Sequence, residues 1–97
     1  MTIRTVSPYP EIFCDFNARV TERGYRPTNG TVRDLAALGL ILDSAVDRRF
    51  VLVSEDANEQ GKPDDIMHDG TVVVDPAFGI LLEADETGFY WRSELRS

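Results

Sequence analysis

Four short apolar segments in the second half of the chain constrain its fold more than any other feature. They lie at 49–54, 71–74, 79–84 and 89–93 and are built on Phe50, Val51, Leu52 and Val53, on Val72, Val73 and Val74, on Ile80, Leu81 and Leu82, and on Phe89, Tyr90 and Trp91. Polar residues, Gly or Pro close each one. β-Branched and aromatic types suit a pleated, half-buried surface, so each segment is expected to be a strand. The connections at 75–79 and 85–88 are too short for a crossover and end in Gly, which favours hairpins between antiparallel neighbours. Val51 and Val53 oppose Phe50 and Leu52, and Leu81 opposes Ile80 and Leu82. Both faces therefore need cover. Curling the sheet into a small barrel, or bending it around a helix and an N-terminal strand, supplies that cover without further chain. The expected fold is mainly β, a β-rich α+β domain with five to seven antiparallel strands and one short helix.

Upstream, residues 1–10 read as an extended arm, because Pro8 and Pro10 both oppose helix. From 11 to 21, Ile12, Cys14, Phe16, Ala18 and Val20 alternate with Phe13, Asp15, Asn17, Arg19 and Thr21. Period two predicts one long amphipathic strand with the first set inward. Gly24 marks a reversal. Residues 31–38 predict the helix, with Thr31 as its cap, Asp34 three positions on and Gly39 as the exit. Val32, Leu35 and Leu38 fall on one stripe. Two turns do not persist alone in water, so the helix must pack on the sheet. Leu40 and Leu42 then resume period two.

Ninety-seven residues, 42% hydrophobic and 28% charged, suit one globular domain, 1–97. Seventeen acids against ten basic residues leave a net charge of −7. That field opposes phosphate backbones and anionic lipid, so general nucleic-acid binding is disfavoured and a basic protein surface is the matching partner. Cys14 is the only cysteine, and residues 1–30 lack the basic start and apolar run of a secretory signal. A reduced, cytoplasmic setting follows. The longest apolar run after residue 30 spans 35–42, against the ~20 residues of a membrane span.

The segment 55–70 reads as the longest loop. Asp56, Asn58, Gln60 and Asp64 stand at positions one, three, five and nine of a ten-residue stretch, with Gly61 at six. Alternate oxygens converging around a tight bend are what Ca²⁺ requires, and this spacing resembles the calcium-loop pattern. Met67 occupies the place of the closing Glu, which Asp65 or Asp69 would have to replace. Calcium is thus one expectation for 56–65, as a structural ion. The other is an acidic contact surface made of Glu55, Asp56, Glu59, Asp64, Asp65 and Asp69, joined by Tyr90 and Arg92. A third is a small barrel whose Tyr90 and Arg92, with Arg19, Arg23, Tyr25 and Arg26, stack nucleobases. Against that, Phe89 and Trp91 are expected in the core and Tyr90 at its rim. Cys14 and His68 are the only thiol and imidazole, and their positions give no reason for a nucleophile-base pair. The sequence reading is a non-enzymatic interaction module without a resident cofactor.

Overall fold

The computed structural model describes residues 4–57 and 61–96. In chain order the elements are β1 (Arg4–Thr5), β2 (Glu11–Phe13), β3 (Gly24–Tyr25), α1 (Asn29–Ala37), α2 (Leu42–Ala45), β4 (Arg49–Ala57), β5 (Pro63–Asp75), β6 (Gly79–Ala84), β7 (Tyr90–Trp91) and β8 (Leu95–Arg96), with one 3-10 turn at Arg92–Glu94. The fold is mixed α+β. Its main sheet has six strands in the order β2-β4-β5-β6-β3, with β7 beside the first half of β5. β1 and β8 form a separate parallel pair.

The sheet is largely antiparallel and open, and the expected curl or barrel is absent. Two layers satisfy the two-sided apolar pattern instead. Phe50, Leu52, Val72, Leu82 and Ala84, with Ile12 of β2 beside them, pack with Cys14, Leu35 and Ala45, so α1, α2 and the chain just after β2 cover one face. On the other face Val51, Val53, Met67 and Tyr90 pack with Tyr9 and Leu95, which come from the two terminal segments. Once both faces are covered, closure has nothing further to bury. No helix among the described residues is long and apolar enough to cross a membrane.

β4 and β5 form one long antiparallel hairpin, running from Arg49↔Thr71 to Ala57↔Pro63. Most of the expected 55–70 loop is therefore strand. Its polar residues stand on a ladder whose hydrogen bonds come from the backbone, which hydropathy does not report. Gly70 shows how tight the ladder is: a Cβ there would sit 2.5 Å from the Glu83 carbonyl oxygen and 2.9 Å from Leu52 Cδ1.

The expected 11–21 strand stops at Phe13. Beyond it Asp15 turns the chain, its carboxylate accepting from the Asn17 N–H at 2.9 Å and its carbonyl from the Ala18 N–H at 2.9 Å. Ile12 and Cys14 are inward as expected, whereas Phe16, Ala18 and Val20 are half-buried. β2 also pairs parallel to β4, with Ile12 beside Leu52. The segment carrying α1 and α2 is the crossover that a parallel pair demands.

α1 begins earlier than expected. Thr28 precedes it, and Thr31, fully buried, accepts from the Thr28 N–H at 3.1 Å and donates to the Phe13 carbonyl at 2.8 Å. Asp34 accepts from the Phe13 N–H at 2.8 Å rather than closing a capping box. Together they finish the outer edge of β2. Burial of Thr31 and Leu35 sets the inward line of the helix and leaves Val32 and Leu38 on the wet side. The exit is as expected. Gly39, at φ 76°, lets its N–H reach the Ala36 carbonyl and the Leu40 N–H reach that of Leu35. Leu42 opens α2 instead of a strand, with Ser44 accepting from the Ile41 N–H at 2.9 Å.

Candidate functional site

The hairpin continues past its neighbours, and the acidic residues gather on that extension. Glu55 stands opposite Asp65 and Asp56 opposite Asp64. Directly facing carboxylates repel, so this end of the ladder is held by backbone bonds and by cations brought from elsewhere. Arg92 is the main one. Its Nε donates to Asp65 at 2.6 Å, while its two terminal nitrogens hold Glu11 at 3.0 and 2.5 Å. Hydrogen bonding to Glu11 and then Asp65 raises the Arg92 pKa above its ordinary value. Ser93 adds a second tie, its hydroxyl donating to Asp64 at 2.6 Å and its N–H at 3.2 Å.

Further in, the Tyr90 hydroxyl donates to Asp69 at 2.7 Å. Tyr90 is 3% exposed and Phe89 52% exposed, so the expected sides of this strand are reversed. Period two sorts residues into two sets without saying which set is inward. Phe89 and Trp91 instead end a row of rings on the helical face. Successive centroids lie 5.1 Å apart from Tyr25 to Phe16, 5.3 Å to His68, 6.0 Å to Phe89 and 5.7 Å to Trp91. Tyr90 and Arg92 are committed to carboxylates, and Arg23 and Arg26 are engaged too, near Glu86 and over the Phe78 ring respectively. Tyr25 packs on the helical face and Tyr90 on the other, so these two rings of the expected stacking surface lie on opposite sides of the sheet.

The expected interaction residues thus divide. Asp64, Asp65, Asp69, Tyr90 and Arg92 tie the C-terminal segment to β5. Glu55 and Asp56 stay exposed, and among the described residues the Glu55 carboxylate has no hydrogen-bond or ion-pair partner. Glu59, Asn58 and Gln60 lie outside the described residues. Of the calcium-type set, Asp56 and Asp64 are strand partners and Asp65 is held by Arg92. Among the described residues no three His, Cys, Asp or Glu are grouped to hold a metal.

Two concavities flank the exposed acids. One, of about 470 Å³, is lined by Glu55, Asp56, Pro63, Asp64, Asp65 and Arg92. The other, of about 200 Å³, lies between β4 and α1 and is lined by Glu11, Phe13, Arg33, Asp34, Glu55 and Asp65, among others. They share Glu55 and Asp65, so they meet as one acidic groove at these two residues.

Elsewhere the ionisable groups serve the fold. Arg49 grips Asp85 with both terminal nitrogens, at 2.7 and 2.6 Å, and lies over the Tyr9 ring. Hydrogen bonding to Arg49 holds the Asp85 carboxyl below its ordinary pKa. Cys14 is fully buried, and burial, then the Asp15 charge, pushes its thiol up to about 12. It is a protonated core residue. Burial lowers the His68 pKa from 6.5, and its Nδ1 is enclosed without a hydrogen-bond partner among the described residues.

The signal that sequence reading missed was available in part. Asp65, Met67 and Asp69 alternate along one strand face, and Tyr90, in register with Met67, shares that face, which is how cross-strand pairs are arranged. Comparison with family models, with curated proteins and with solved structures found no match to this chain.

Proposed function

We propose that the chain is a non-enzymatic module that recognises a basic surface of another protein through the acidic end of the β4–β5 hairpin. The observation that carries this reading is Glu55, exposed where two acidic concavities meet, with its carboxylate unpartnered among the described residues. A carboxylate already paired within the fold has little to gain from a visiting cation. One left in a groove beside further acids gains a charge-assisted bond and steers the encounter. The overall charge of −7 acts in the same direction at longer range. Cys14, sealed and protonated, supports a non-catalytic role for the thiol.

Fluorescence anisotropy with a labelled octa-lysine peptide tests the reading. Binding at low salt is expected, with loss as ionic strength rises and a further loss of about tenfold in the double variant Glu55→Lys/Asp56→Lys. Equal binding by wild type and variant, or none at low salt, removes it.

A further inference from the structure

The outer edge of β4 carries a more specific arrangement than charge alone. Residues in a strand point their N–H and C=O alternately to either side. The Val51 N–H donates to the Pro10 carbonyl at 2.8 Å, and the Val53 carbonyl accepts from the Cys14 N–H at 2.9 Å, so 51 and 53 face β2. Glu55 is the next residue in that series. β2 has ended by then, because Asp15 has turned the chain away. Among the described residues nothing hydrogen-bonds to the Glu55 backbone from that side. The edge of β2 itself is treated differently: Asp34 and Thr31 close both backbone groups of Phe13. One edge is finished by side chains, while its continuation along β4 is left open beside the acidic groove.

We infer that an extended segment of a partner protein, bearing Lys or Arg at alternate positions, adds to β4 at Glu55 as a short strand in line with β2. This rests on the reading of the hairpin end as an acidic contact surface and specifies how contact is made. Strand addition supplies main-chain bonds, and alternate side chains supply choice. Successive residues of β4 project to opposite faces, Glu55 to one and Asp56 to the other, so a strand at this edge meets a carboxylate on each side. A second copy of the chain is the wrong occupant. Two β4 edges paired antiparallel about Glu55 would set like charges opposite each other, which opposes pairing.

The test uses the whole chain and a labelled peptide of four Lys-Val repeats, beside the same peptide N-methylated at every second residue so that one edge loses its N–H groups and the charge is kept. Expected are binding of the unmethylated peptide, at least tenfold weaker binding of the methylated one, and slowed hydrogen exchange at the Glu55 amide in the first complex only. Glu55→Pro, which removes the outward N–H, is expected to act on the protein side as methylation acts on the peptide. Glu55→Gln retains the N–H and is expected to lose less. Should Glu55→Pro fail to fold by circular dichroism, the peptide pair and the exchange measurement still decide. Equal binding of the two peptides overturns strand addition and leaves charge recognition standing. Binding of neither overturns both. A concentration-dependent dimer in sedimentation, abolished by Glu55→Pro, overturns the inference in favour of a second copy.

Discussion

The inner and outer halves of the β4–β5 hairpin belong to the same two strands yet are held by different physics. At 49–53 the hairpin has neighbours on both sides and packed side chains on both faces. Phe50, Val51 and Leu52 are at most 1% exposed. At 54–57, among the described residues, the partner strand remains on one side only, and at 55 and 56 the side chains are acids opposite acids. The inner half is held by burial, whereas the outer half is held by backbone bonds and by the cation that Arg92 carries across. Stability therefore concentrates in one half, and the other is free to present charge.

The strongest way to break this contrast is to hollow out the inner half. Leu52→Ala is expected to lose about 3 kcal/mol, read as a fall in the urea midpoint at unchanged slope, because the cavity is walled by residues that cannot collapse into it. A smaller effect should come from the junction of the halves. Tyr90→Phe leaves a half-buried Asp69 without its 2.7 Å donor and should lose about 1 kcal/mol in the same assay. At the outer end, Arg92→Met removes the cation between Glu11 and Asp65. Those ion pairs are partly exposed, so the loss should be below about 1 kcal/mol and shrink further in high salt.

The pH response sharpens the contrast from the other direction. His68 lies in the ring row on the helical face, with Phe16 and Phe89 beside it and the charges of Asp69 and Asp85 pulling weakly toward protonation. Its folded pKa lies below the unfolded 6.5, so the unfolded chain takes up the proton first. Its contribution is complete above pH 6.5 and declines as pH falls from there through the folded value. In His68→Phe, urea midpoints measured between pH 7 and 5 should lose that part of their slope. Asp85 acts lower, its contribution present above 3.8 and lost as pH falls through its depressed folded value. The smallest effect is expected at Glu55→Ala, within about 0.5 kcal/mol of wild type. A larger loss there would mean that the outer carboxylate serves the fold, and the contrast between the halves would dissolve.

Much of the inner half was legible from residue types alone. Phe50, Leu52, Val72 and Leu82 fall where period two puts them, and Gly39 ends its helix as its freedom at positive φ requires. The outer half was not, because Asp64, Asp65, His68 and Asp69 read as loop. Their strand geometry comes from bonds that any residue makes. The acids expected to form a contact surface were partly legible too. Glu55 and Asp56 are exposed, but the reach of Arg92, Tyr90 and Ser93 to Asp65, Asp69 and Asp64 depends on how the C-terminal segment docks.

Local pattern by itself determined that this chain makes a small β-rich domain with a helix at its middle, apolar on both faces of its sheet and acidic in its longest polar stretch. Tertiary structure alone decided that layers rather than closure cover those faces, that β2 joins in parallel, and that Tyr90 turns inward while Phe89 turns out. Alternation and charge are properties of neighbouring residues and survive in the string. Which face is inward, and which carboxylate keeps an open side, depend on partners brought from tens of residues away.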